Sequence, residues 1–264
     1  NLFSMPEGEL KKSTKLPSST RKCFVSKDCK WVVYGLRNNM VILQNTETGE
    51  IVQQIKSHGG WIEGAEFSPN ADKFITLAKD GIARMFDTET GKLLHSNQYG
   101  AEFGGQCAFS NDEEIYVLYC LFGMDSQTPI AYDVKTGKKL FTLKHSSGVS
   151  NLSFTEDDRN IISASLDYTA KIWDRNDVQF PLQSYSVGSR VASVLHKVTH
   201  PNRIFTISID GNIYVYDKDS ALFVDGPYRG ADNCAWFSIN LKTKPQADYF
   251  LAINTPNSVA LWPF

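Results

Sequence analysis

Residues 161–174 read IISASLDYTAKIWD. Two short apolar runs flank Asp167, and the second ends in Trp173-Asp174. Alternation about a tight turn describes a β-hairpin, a unit found in every β fold. What decides the fold is that the phrase recurs. With Trp173-Asp174 as the ruler, equivalents stand at Gln44-Asn45, Phe86-Asp87, Tyr132-Asp133, Tyr216-Asp217 and Trp262-Pro263, at intervals of 42, 46, 41, 43 and 46 residues. A sustained period of this size marks a repeat architecture.

The same subpattern fills each period. A first strand ends in Phe-Ser or Phe-Thr, as in GAEFSP (64–69), QCAFSN (106–111) and NLSFTE (151–156). A second apolar strand follows, as in KFITLA (73–78), IYVLYC (115–120), NIISAS (160–165) and RIFTIS (203–208). Asp-Gly at 80–81 and 210–211 supplies the positive φ angles that a tight turn into the third strand favours. After the anchor pair, TETG (46–49 and 88–91) or VKTG (134–137) turns the chain into a fourth strand. One such unit is a small sheet with two apolar faces. Stacking neighbours radially buries both, which predicts an all-β array of propeller type.

Period, terminal Trp-Asp and upstream histidine together resemble the WD40-repeat family. The resemblance covers nearly the whole chain and implies a WD-repeat β-propeller with six recognisable four-stranded antiparallel blades. It also implies a structural tetrad of His145, Ser163, Asp167 and Trp173. Physics supports the same grouping, because a buried indole N–H needs an acceptor and a serine hydroxyl supplies one. A histidine can then bridge the serine to the aspartate. The second period keeps a partial tetrad, His58, Thr76 and Asp80, but carries Phe86 at the anchor; the fifth keeps Thr206 and Asp210 with Tyr216.

The expected organisation is a single propeller domain over 1–264. Blades fall at about 21–56, 57–98, 99–144, 145–185, 186–226 and 227–264, and residues 1–20 contribute a closing outer strand at Leu10–Leu16. The alternative is that the chain is part of a seven-bladed or tandem propeller, continuing beyond Asn1.

Composition narrows the chemistry. The chain has 264 residues, 42% hydrophobic and 21% charged, with a net charge of −2, so no global field draws it to nucleic acid or anionic lipid. Its opening thirty residues are locally basic, with Lys11, Lys12, Lys15, Arg21, Lys22, Lys27 and Lys30 against Glu7, Glu9 and Asp28. Five cysteines lack CxxC or disulfide spacing, which fits a reducing cytoplasmic or nuclear location. No apolar run is long enough to span a membrane. The five histidines are dispersed and predict no metal site, and no cofactor is expected.

Ser163, His145 and Asp167 fall in one repeat, yet the glycine-flanked turn that exposes a hydrolase serine is absent. The reading is therefore non-catalytic. The resemblance implies a scaffold that mediates protein–protein interactions inside a larger multiprotein complex or multidomain protein. A ribonucleoprotein-associated subunit, touching nucleic acid indirectly, is the alternative; a propeller-fold hydrolase is a third. Candidates for the partner-binding face are Arg37, Trp61, Glu63, Lys79, Phe103, Tyr168, Arg190, Tyr228 and Arg229, since Trp, Tyr and Arg dominate binding hot spots.

Overall fold

A computed structural model describes residues 2–3, 10–12, 15–56, 58–99, 101–123, 128–197, 200–229, 249–254 and 258–263. The described residues form strands and turns, with no helix among them. They divide into two compact units, Asn1–Thr142 and Leu143–Phe264.

The first unit holds three four-stranded antiparallel sheets, each a simple meander. The first sheet is Thr20–Val25, Trp31–Leu36, Val41–Asn45 and Ile51–Ile55. The second is Ile62–Phe67, Lys73–Ala78, Ile82–Asp87 and Leu93–Gln98. The third is Gln106–Phe109, Ile115–Tyr119, Ile130–Asp133 and Lys139–Thr142. The second unit holds two more. The fourth sheet is Val149–Phe154, Asn160–Ser165, Thr169–Asp174 and Gln183–Ser186. The fifth is Val191–Lys197, His200–Ser208, Asn212–Asp217 and Phe223–Arg229.

The repeated polar letters are turn chemistry. In the first four sheets the hydroxyl that follows the first strand clamps the turn after it. Ser110 Oγ donates to Asp112 and accepts from Ile115 N, and Thr155 Oγ1 does the same with Asp157 and Asn160 N. Ser26 and Ser68 repeat the arrangement with Asp28 and with Asp72. The aspartate after each anchor closes the next turn. Asp87 Oδ1 accepts from the backbone N–H and hydroxyl of Thr90, Asp133 from those of Thr136, and Asp217 from those of Ser220. Such Asx contacts replace backbone partners that a turn leaves unmet.

The anchor position is buried whatever residue fills it, and each type solves its own polar problem. Gln44 donates its amide to Gly49 O and accepts from the Tyr34 hydroxyl. Tyr132 and Tyr216 send their hydroxyls to carbonyls of the preceding sheet, Gln98 O and Ser186 O. Phe86 needs nothing and stacks on Phe74, centroids 5.2 Å apart.

Sheets within a unit bury their faces on one another. Val33, Val41 and Leu43 of the first sheet pack with Ile62, Phe67, Phe74 and Phe86 of the second. Ile75, Leu77 and Met85 of the second pack with Tyr116, Leu118 and Tyr132 of the third. In the second unit Ile162, Ile172 and Tyr185 meet Val191, Val194, Ile204 and Tyr216. Each fully buried large side chain stabilises by about 1.5–3 kcal/mol. The first and second sheets approach closely at Gly35, where an added Cβ would lie 2.6 Å from Ile62 Cβ.

One expectation, the blade count, is revised. Where six four-stranded blades are predicted, the described residues form five four-stranded sheets. The sixth period contributes a two-stranded ribbon, Tyr249–Asn254 with Ser258–Pro263, in which Trp262 pairs with Phe250; 230–248 lie outside the described residues. Of the expected closing strand Leu10–Leu16, the segment Leu10–Lys12 pairs with Leu2–Phe3 nearby, and 13–14 lie outside the described residues. Phe122–Gly123 pairs with Ala101–Phe103, continuing the hairpin of the third sheet past Gly104.

Candidate functional site

Two histidine networks sit at the same end of their sheets, where the first strand begins and the second strand turns into the third. In the fourth sheet Trp173 Nε1–H donates to Ser163 Oγ at 2.9 Å. The Ser163 hydroxyl is thereby left to donate to His145 Nε2, 2.8 Å away, and His145 Nδ1–H donates to Asp167 Oδ2 at 2.9 Å. The Ser163 side chain has 0% exposure, so it meets no solvent-borne substrate. Burial would raise the Asp167 carboxyl, but hydrogen bonds from His145, Thr169 and Ser146 N outweigh it and hold the group well below the usual range. Burial lowers the His145 pKa, so the imidazole is neutral.

The partial network of the second sheet runs the other way. Arg84 Nη1 lies 2.6 Å from His58 Nδ1 and 2.8 Å from Asp80 Oδ2. His58 Nδ1 also lies 3.2 Å from Asp80 Oδ2, but a guanidinium can only donate, so at the shorter 2.6 Å contact Nδ1 accepts from Arg84 and the imidazole proton sits on Nε2, donating to Thr76 Oγ1 at 2.7 Å. Burial, with the Arg84 charge adding to it, pushes His58 down to about 4 despite Asp80. The fifth sheet has only fragments. Thr206 Oγ1 is buried without a hydrogen-bond partner, while Asp210 is engaged by Ser208 and Asn212.

At this end of the first unit an exposed aromatic residue gathers cations. Trp61 is 44% exposed, with the Arg21 guanidinium 4.6 Å and the Lys79 ammonium 5.0 Å from its ring centroid. The backbone explains why they meet. Gly60 lies so close to the Lys79-Asp80 turn that a Cβ there would be 2.9 Å from Asp80 N, and this lets Lys79 N–H donate to Trp61 O at 2.9 Å. Asp80 accepts from Gly59 N and ties down the same loop. Arg21 is the second residue of the first sheet's edge strand and donates to Glu63 Oε1 at 3.0 Å, while Lys22 Nζ donates to Glu63 O.

The expected binding-face residues therefore separate. Trp61 and Tyr168 (48% exposed) reach solvent, as do Arg37 and Arg190, and Lys79 is half-buried against Trp61. Glu63 does not belong to the open surface: at 7% exposure it points inward, paired with Arg21. The side chains of Phe103, Tyr228 and Arg229 lie outside the described residues. Sequence reasoning missed Arg84 and Arg21. Arg84 had a legible signal, since it stands four residues after Asp80, as Lys171 stands four after Asp167. Arg21 had none, because its encounter with Trp61 needs two sheets. Ile209, 40% exposed, was also missed; its N–H donates to Arg190 O, placing it beside that residue.

The family described as WD domain, G-beta repeat matches residues 137–174, the stretch that carries the complete network. The chain carries a WD repeat. WD repeats generally mediate protein–protein interactions. The chain is similar to WD repeat-containing protein 1 of Rattus norvegicus, 28% identical over 180 residues that are 66% of this chain and 29% of that protein. It is similar to the guanine nucleotide-binding protein subunit beta-like protein of Encephalitozoon cuniculi, 26% identical over 239 residues, 83% of this chain and 70% of that one. Pre-mRNA-processing factor 17 of Saccharomyces cerevisiae is 24% identical over 176 residues, 63% of this chain and 37% of that one. The aligned part of the chain thus spans under a third of the rat relative's length.

Proposed function

We propose that this WD-repeat chain is a non-catalytic interaction module that holds a protein or peptide partner within a larger assembly, in the cytoplasm or nucleus. In the first unit its binding surface is the end of the sheets that carries the His58 network. The observation that carries this reading is Trp61, kept at the surface under two cations by a loop that Gly60 and Asp80 pin in place. Trp and Arg are the side chains from which binding hot spots are built, and a pinned loop loses little entropy on binding.

Tyr168 supports the same role in the second unit. It adopts φ +69°, a conformation that the equivalent turns assign to Gly81 and Gly211, and its ring is exposed rather than packed. A bulky residue held there without a packing reason points to function.

Two variants test the proposal. Trp61→Ala and Tyr168→Gly are each expected to lose most of the partner captured by the wild-type chain from its native extract. Trp61→Ala should melt within a few degrees of wild type, and Tyr168→Gly should melt slightly higher because glycine relieves the backbone. Undiminished capture by both variants would falsify the assignment of this surface.

A further inference from the structure

We infer that the Trp61 site recognises an acidic segment of its partner, with Arg21 and Lys79 as the anion-binding pair and Trp61 as the platform that positions them. The inference rests on the interaction role proposed above and adds the chemistry of the occupant.

The charge balance at this end of the first two sheets is one-sided. The loops and strand starts that meet there (18–22, 35–40, 58–63 and 79–81) contribute Arg21, Lys22, Arg37 and Lys79 as cations. Their carboxylates are Glu63 and Asp80. Both are already committed inward. Glu63 is buried on Arg21, and Asp80 accepts from Arg84, Gly59 N and Ile82 N. Positive charge therefore faces out while the compensating negative charge faces in, although the whole chain is slightly acidic. An incoming carboxylate meets cations that are already oriented, so it need not order flexible side chains on arrival.

The geometry also separates a peptide from a nucleic acid. A base stacks on an aromatic ring only if it can lie flat against an open face. Here cations stand over the Trp61 ring at 4.6 and 5.0 Å, in the position a stacked base would take. The face those cations occupy holds charge in place and is closed to a stacked base. Carboxylates bridging that charge, beside an apolar side chain on the exposed ring edge, fit this arrangement.

The test uses the full chain and fluorescence anisotropy. The probe is a short fluorescein-labelled peptide in which glutamate and aspartate alternate with leucine. Its comparators are the same peptide with glutamine and asparagine, and a labelled oligouridylate. Saturable binding of the acidic peptide is expected, weakened about tenfold or more by Lys79→Glu and by Trp61→Ala and retained by Lys79→Arg. Binding should also weaken steeply with added salt. Arg21 is left intact, because removing it would strand the buried Glu63 carboxylate. Equal binding of the amide peptide would overturn the acidic-segment inference while leaving the interaction role standing. Tighter binding of the oligouridylate would replace the peptide with a nucleic acid. Absence of binding, or binding indifferent to all variants, would overturn the inference; if partner capture also survives Trp61→Ala, the surface assignment falls with it.

Discussion

At the residue scale, the two histidines show how one neighbour sets a proton's position. Asp167 can only accept, so His145 carries its proton on Nδ1, and its Nε2 accepts from the Ser163 hydroxyl, which itself accepts from Trp173. Phe86 offers no proton to Thr76, and Arg84 forces His58 Nδ1 to accept, so that ring carries its proton on Nε2. Long-range proton–nitrogen spectra at neutral pH should therefore show opposite tautomers for His145 and His58. Identical tautomers would mean that Arg84 does not contact the ring in solution. Truncating Trp173 to alanine should destabilise by about 3–5 kcal/mol, combining a lost aromatic core residue with an unmet serine. The candidates Ser163, His145 and Asp167 were all legible in one repeat, because a tetrad is local to a single sheet. Glu63 was misread as surface for the opposite reason: its partner Arg21 belongs to another sheet.

At the element scale, each meander is held by the same turn devices, and this is why the repeat was visible at all. Phe-Ser marks the first turn, Asp-Gly the second and Asp-x-x-Thr-Gly the third; each pattern matches a hydrogen-bonding clamp in the structure. The third sheet broke the pattern because its hairpin runs on past Gly104, so extra residues were needed between the second and third strands. Packing of one sheet on the next depends on close approach at Gly35. Gly35→Ala would place a methyl inside contact distance of Ile62, next to Trp61, and is expected to destabilise by about 1–3 kcal/mol. It should also change Trp61 fluorescence, because the second sheet's first strand must move to make room. An unaltered denaturation midpoint and emission spectrum would show that the contact is looser than the backbone positions imply.

At the scale of the whole molecule, the buried histidines make folding sensitive to acid. His58 is pushed down to about 4 from the usual 6.5, so the unfolded chain binds a proton between those values while the folded chain does not. Stability therefore rises with pH across this window, is complete above about 6.5, and is lost as pH falls toward 4. His145, also lowered, acts in the same direction. The lowered Asp80 and Asp167 contribute stability that is lost only at lower pH, as they protonate. Denaturant titrations at pH 7 and pH 5 should differ by on the order of 2 kcal/mol from His58, and His58→Asn should flatten that part of the dependence. A wild-type chain equally stable at both values would mean that His58 is protonated in the native state.

From the sequence by itself came the period, the strand order inside each sheet, the turn signals and the membership of the complete histidine network. All of these rest on residues close together in the chain, and local hydrogen bonding and alternation write them directly into the letters. Tertiary structure alone decided that Glu63 turns inward and that Arg21 reaches Trp61. Those outcomes depend on which sheet face lies against which, and a buried carboxylate or a cation over a ring exists only once two sheets have closed on each other.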